Sequence, residues 1–370
     1  MKNLIVAGLT LLGLLSPSVF ASPSQDAEKA TLDRLYKDAL AEGGDLVVYA
    51  GGDTPGSSDG WARAFEAKFP GLKVRSLTDL SKFHDARIDN QITRNRLVVD
   101  VAHLQTLHDF ARWKKTGMLM KYVPPVGWSK VPVELKDIDG YYTGIGIFTL
   151  GNVVNTSIVP AAQAPRNALD FLLPKFKDQL VLTYPHDDDA ILFIFQQIIQ
   201  KHGWQYMDAL MAQKPKFRRG TEGAGSDVDS GRYAASFTAW WPFAPPAGSA
   251  TRYIPPVGEP LMSWPQTAAI FKAAPHPAAA KLYVSWLLSA EVQGSALIAQ
   301  WPVRDDVTPA SGFGPVSKYN TDPAAFARFM EDRPALERFR AELSLYIGEV
   351  EGTNPTEASG TDVSASVFSH

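Results

Sequence analysis

A glycine-rich run, Arg219-Gly220-Thr221-Glu222-Gly223-Ala224-Gly225-Ser226, opens a helical segment that stops at Gly231 and feeds the short apolar stretch Ala234-Ala235-Ser236-Phe237. Bare N–H groups at such a helix start, with Thr221, Ser226 and Arg219 beside them, can hold a ligand anion, aided by the positive end of the helix dipole. The run also reads as an ordinary capped helix start, and Glu222 opposes an anion there. A second helix begins at Tyr184-Pro185-His186-Asp187-Asp188-Asp189. Carboxylates in a first turn stabilise any helix; turned toward a ligand, they would repel an anion and favour an amine or a metal ion. Trp240-Trp241 follows a few residues after Phe237. Indole is a donor only and cannot coordinate a metal, but it stacks on flat or cationic groups. The other reading of the pair is two core tryptophans ahead of a proline-rich loop.

The elements that must position these groups alternate strand and helix. Gly44 to Ala50 is a short apolar run bounded by glycines and reads as a buried parallel strand. Gly51 to Asp59 is then a loop, Trp61, Ala64, Phe65 and Phe69 mark one helix face, and Lys73 to Leu77 closes a β-α-β unit. A helix over 82–94, a strand over 98–102 and a helix over 106–116 continue the pattern. Ligands of such folds lie at the carboxyl ends of the strands. Those ends are Gly51 to Thr54, Thr78 to Asp79, and His103 to Gln105. Gly140 to Thr156 is glycine-punctuated and β-rich, and a new series follows: a helix near 169–173, a strand over 179–183, a helix over 188–202 and a strand over 234–238.

The segment from Arg219 to Phe237, together with Ala273-Ala274-Pro275-His276-Pro277-Ala278-Ala279-Ala280-Lys281-Leu282-Tyr283, resembles the periplasmic solute-binding proteins of ABC importers, in the subgroup of ferric-iron, thiamine, phosphonate and polyamine binders. The resemblance covers roughly residues 44 to 305 and implies an α/β, two-lobed, type II periplasmic-binding-protein fold. Each lobe is then a mostly parallel sheet flanked by helices, and two crossing hinge strands join the lobes. The implied division is a signal peptide over 1–21, a helical lead-in over 22–43, lobe 1 over 44–146 and again over 266–350 with a single C-terminal helix from Pro323 to Tyr346, lobe 2 over 147–265, and a flexible tail over 351–370.

The implied ligand contacts are Gly52, Asp53, Thr54, His103 and Gln105 on the first lobe and Thr149 at the hinge. His186, Asp187, Arg219, Gly220, Thr221, Trp240 and Trp241 line the second lobe, and Trp301 leads into a segment that lines the cleft in relatives. Trp240-Trp241 stands where ferric binders carry a Tyr-Tyr pair, so phenolate-type iron binding is not expected.

Lys2, the Leu-rich run from Leu4 to Leu15 and the small-x-small site Val19-Phe20-Ala21 read as a cleaved secretion signal, too short to span a bilayer. The absence of cysteine excludes disulfides, thiol catalysis, thiolate metal sites and a lipidated cysteine. With 36 Lys and Arg against 39 Asp and Glu, the charge is too balanced to point to nucleic acid or an anionic membrane. No G-x-S-x-G, H-E-x-x-H or phosphate-loop motif occurs.

The chain is therefore expected to be a periplasmic or extracellular binding protein and not an enzyme, with no cofactor and no resident metal. It is expected to act as a monomer that traps a small ligand, an organic amine or zwitterion, for an ABC permease. Ferric iron or another metal ion is the alternative ligand, and a secreted effector or hydrolase is the alternative role.

Overall fold

The computed structural model describes residues 23–309 and 312–356. The expected secretion signal, Met1 to Ala21, lies outside the described residues.

In chain order the first elements are α1 (Pro23–Glu42), β1 (Asp45–Gly51), α2 (Asp59–Lys68), β2 (Lys73–Asp79), α3 (Ser81–Thr93), β3 (Val101–Leu104), α4 (Leu107–Lys115), β4 (Thr143–Thr149) and β5 (Gly151–Asn155). Then come β6 (Val181–Thr183), α5 (Asp189–His202), α6 (Gln205–Ala212), β7 (Lys216–Arg218), α7 (Thr221–Asp229), β8 (Ala235–Ala239), β9 (Thr251–Ile254) and β10 (Ser263–Ile270). The chain ends in α8 (Pro277–Leu287), α9 (Ala290–Gln293), α10 (Ala325–Glu331) and α11 (Arg333–Ile347).

Two sheets result, with the same plan. The first has the order β2-β1-β3-β10-β4, with β1 parallel to β2 and β3, and β10 antiparallel to both its neighbours. In the second, β8-β5-β9 and β6-β7 are separate ladders, joined by a parallel bridge between Leu180 and Ala235. Read through that bridge the order is β7-β6-β8-β5-β9, position for position the pattern of the first. The join is completed by side chains: Thr183 N donates to Thr238 Oγ1 at 2.8 Å, doing what a ladder bond does elsewhere.

The chain passes between the sheets at Leu150, where β4 ends and β5 begins, and again between β9 and β10. Thr149 ties the two crossings together. Its buried hydroxyl lies 2.6 Å from the Met262 carbonyl and 3.0 Å from the Tyr253 hydroxyl, while Gln300 accepts from its N–H at 2.7 Å and donates to its carbonyl at 3.1 Å. Behind this hinge one apolar cluster runs from Val48, Phe65 and Trp286 in the first lobe to Ala224, Trp241 and Tyr253 in the second. A second cluster fills the other side of lobe 2, between α5, α6, α10 and α11.

Three differences from the sequence reading have local causes. The third strand starts at Val101, not Val98, because the buried Asp100 carboxylate turns to accept from the N–H groups of Val47, at 2.7 Å, and His276, at 2.6 Å. A single C-terminal helix is replaced by α10 and α11, since Pro334 in the first turn of α11 cannot continue the preceding helix, and Asp332 caps the new start through Ala335 N at 3.0 Å. The tail is not free where it is described: Asn354 and Thr356 are buried, and Thr356 Oγ1 donates to Asp79 Oδ1 at 2.8 Å. Residues 357–370 of that tail lie outside the described residues.

Candidate functional site

Between the lobes lies a cavity of about 630 Å³. Its lobe 1 wall is built from the carboxyl ends of β1, β2 and β3, as parallel strands dictate. Gly52, Asp53 and Thr54 follow β1, Ser81 and Lys82 start α3, and His103 and Gln105 end β3. A Cβ on Gly52 would meet Ser57 Oγ at 2.5 Å and Thr78 Cγ2 at 2.8 Å, so the loop needs glycine to fold this tightly. His103 is almost fully buried beside Tyr283 and Trp61, and burial pulls its imidazole down to about 4, leaving it neutral.

Opposite, α7 begins at Gly220, whose φ of 84° suits glycine and whose missing side chain leaves the helix without a cap of its own. Asp53, from the other lobe, supplies one. Its carboxylate accepts from Thr221 N, from Thr221 Oγ1 at 2.9 Å and from Glu222 N at 3.2 Å. The helix start that could have held a ligand anion thus holds the protein's own carboxylate. Burial pushes the Asp53 carboxyl above its ordinary range, opposed by these donors. Glu222 is half-buried alongside, bonded to Thr54 Oγ1, and desolvation first and the Asp53 charge second push it up to about 8.

The start of α5 is finished differently. Asp188 caps its own helix, accepting from Ala190 N at 2.8 Å and Ile191 N at 3.3 Å, and burial pushes its carboxyl up to about 7. Asp187 is held by Arg219 Nε at 2.8 Å and by Lys82 Nζ at 2.5 Å from lobe 1. Asp189 is held by Arg340 and by Arg333 at 3.0 Å.

Gly52, Asp53, Thr54, His103, Gln105, Asp187, Thr221 and Trp240 all line this cavity. Thr149 lies behind it at the hinge, Gly220 is covered by Asp53 and Pro355, and Arg219 is spent on Asp187. His186 packs edge-on against Tyr184, 5.3 Å between centroids, outside the lining. Trp241 is only 8% exposed and rests on Gly225 of α7, and Trp301 is buried with Nε1 donating to Gly314 O at 3.0 Å. Residues that the sequence reading passed over complete the walls: Trp61, Phe148 and Trp264 as rings, Asp85 and His108 from α3 and α4, and Arg333, Glu337 and Arg340 from α11. Trp61 carried a signal, being the first large residue after the β1 loop. The α11 residues carried none, because only tertiary packing brings that helix to the cleft.

Residues 103–311, more than half of the chain, match the family of bacterial extracellular solute-binding proteins. The chain belongs to that family. No curated protein matches it significantly. Among solved structures, this solute-binding protein is similar to the periplasmic binding protein P5PA, at 19% identity and a TM-score of 0.65, covering 81% of this chain and 99% of that one. It is also similar to the periplasmic binding protein AfuA from Actinobacillus pleuropneumoniae with fructose-6-phosphate bound, at 18% identity and a TM-score of 0.64, covering 82% and 98%. A third is iron-bound HitA from Pseudomonas aeruginosa, at 20% identity and a TM-score of 0.58, covering 80% and 99%.

These likenesses establish the two-lobed α/β fold. The family places this solute-binding protein among extracytoplasmic carriers that capture a small ligand for ABC-type import, not among enzymes. Chemically, the site pairs aromatic walls with buried or half-buried carboxylates that no salt bridge neutralises. Among the described lining residues, Lys82, Arg333 and Arg340 are each bound to a carboxylate already. Among the described residues Asp53, Asp188 and Glu222 form no salt bridge; the cation that acts on Asp53, Arg218, is itself paired with Asp227.

Proposed function

We propose that this solute-binding protein captures a small organic cation, an amine or a zwitterion bearing one, and delivers it to an ABC permease. The observation that carries the reading is the gathering of Asp53, Asp188 and Glu222 on a cavity whose own cations are all paired, beside the rings of Trp61, Trp240, Trp264 and Phe148. A cation placed there would favour the ionised form of carboxyls that burial pushes above their ordinary range, and would lie against aromatic faces. An anionic ligand finds less support, because Asp53 already occupies the α7 start. Phenolate capture of ferric iron lacks its ligands: no tyrosine lines the cavity among the described residues, and Trp240 stands where one would serve. Thr149 acts as the hinge pin, while Asp187, Arg219 and Gly220 shape the wall from behind. We further propose export through the Met1 to Ala21 signal to the periplasm or the medium, action as a monomer, and no nucleic-acid partner.

Native mass spectrometry of the freshly purified mature protein, followed by thermal unfolding with spermidine, choline, thiamine, fructose-6-phosphate and Fe³⁺, tests the ligand class. A ligand at a hundred times its Kd adds about 2.7 kcal/mol of stability. Stabilisation by an organic cation, lost in Glu222→Gln, is the expected result. Stabilisation by the sugar phosphate or by iron, with none from the cations, would overturn it.

A further inference from the structure

The start of α4 concentrates buried polar atoms that no described residue satisfies. Thr106 Oγ1, His108 Nδ1 and Asp109 Oδ2 all lack a hydrogen-bond partner among the described residues, although the Asp109 side chain is only 1% exposed. A native fold rarely leaves such atoms unpaired, and one buried carboxylate oxygen without a partner costs more than a lost hydrogen bond. Asp85 of α3 meets this turn. Asp85, His108 and Asp109 each offer one donor atom, and those three atoms lie within 4.8 Å of one another.

Charge points the same way. Arg112 is the hub of the cluster, donating to Asp85 Oδ1 at 2.6 Å, Asp89 Oδ2 at 2.7 Å and Asp109 Oδ1 at 2.9 Å. One guanidinium thus faces three carboxylates, a deficit that a divalent ion would fill. Arg112 also fixes the orientation of two of the three donors by holding one oxygen of each, the way outer-shell partners orient metal-binding carboxylates. The neighbouring Arg333 is spent on Asp189 and Glu337.

We propose that Asp85, His108 and Asp109 form a site for a divalent first-row transition-metal ion, of the Zn²⁺ or Mn²⁺ class, set in the lobe 1 wall of the cleft. One imidazole and two carboxylates suit these borderline ions better than Ca²⁺, which takes oxygen alone, or Cu⁺, which favours sulfur. Small rotations of the three side chains bring donors spaced this way to bonds of about 2.0–2.2 Å. Asp85 and His108 line the cavity, so the remaining coordination positions face it and are open to water or to an oxygen of whatever the cleft holds. The site shares no residue with Asp53, Asp188 or Glu222, so it stands apart from the capture of a cation by those groups.

The mature protein, stripped with EDTA and dialysed, is titrated with ZnCl2 and with MnCl2 by calorimetry, alongside His108→Ala, Asp85→Asn and Trp240→Ala, each checked for folding by circular dichroism. One ion per chain is expected, with affinity falling about a hundredfold or more in His108→Ala and in Asp85→Asn and unchanged in Trp240→Ala. X-ray absorption of the loaded protein should show a nitrogen and oxygen shell with imidazole scattering. No binding of either ion at 1 mM, or binding that His108→Ala leaves intact, overturns the site. Neither result touches the organic-cation reading, whose own test is loss of stabilisation in Glu222→Gln.

Discussion

Two helices of lobe 2 begin at the cleft and are completed in opposite ways. α5 carries its own cap in Asp188 and is rooted by seven buried side chains, among them Ile191, Leu192 and Phe195. α7 has glycine at its cap position, buries only Ala224 and Val228 as apolar side chains, and rests its bare Gly225 backbone on Trp240 and Trp241. Its cap is Asp53, which belongs to the other lobe. The first helix is therefore finished when lobe 2 is finished, and the second only when the lobes meet. A term that ordinarily stabilises one helix has become a term that holds two lobes together.

The comparison breaks most severely at Trp241. Trp241→Ala removes the surface under α7 and should cost about 3–5 kcal/mol of stability in denaturant unfolding. An unperturbed midpoint would mean that α7 has another seat. Asp53→Ala should cost about 2 kcal/mol of closure, since removing the carboxylate leaves its donors at the α7 start unpaired. Small-angle X-ray scattering should then show a larger radius of gyration with helix content intact. Asp188→Ala is the matched control: the loss of an ordinary cap, about 1 kcal/mol, should appear in unfolding with the lobe separation unchanged. If it opens the lobes as Asp53→Ala does, the distinction between the two helix starts fails.

A smaller effect sharpens the picture through pH. Desolvation between the lobes, and after it the Asp53 charge, lifts the Glu222 carboxyl from 4.5 to about 8, against the opposing hydrogen bonds of Thr54 and Ser57 from the facing lobe. When the lobes part, it returns toward its ordinary value. Below about 4.5 both forms hold the proton and closure is at its strongest; between there and about 8 only the closed form holds it, so closure weakens as pH rises and levels off above about 8. Scattering curves should move toward the open form between pH 5 and pH 8.5, and Glu222→Gln should flatten that response.

Much of this architecture is written in local pattern. A short apolar run between glycines gives β1, and the break at Gly231 ends the α7 region, because these signals act within a few residues. The strands β7 and β9 escape such reading, because an alternation of three or four residues is too short to stand out. At the site, the loop after β1 and the end of β3 are legible, since strand ends of a parallel sheet must converge on one edge. What Asp53 does there is not legible: its partners lie 168 residues away, and nothing in Gly52-Asp53-Thr54 tells a ligand contact from a borrowed cap. Trp240 and Trp241 look alike in sequence, yet Trp240 lines the cavity while Trp241 is buried against Gly225. The α11 contribution was hidden for the same reason as Asp53, with Arg340 reaching Asp189 across 151 residues.

The unequal continuity of the two sheets bears on how the molecule is made. Strands β5 to β9 of lobe 2 are contiguous in the chain, whereas the lobe 1 sheet needs β10 inserted between β3 and β4. The nascent polypeptide therefore emerges with its first four strands unable to complete their sheet until more than a hundred further residues have followed. The bond from Thr356 to Asp79, spanning 277 residues, must wait until Thr356 has been made. Long-range contacts of this kind slow folding, so the N-terminal half should stay loose and threadable through synthesis, the condition that passage through a narrow secretion channel requires.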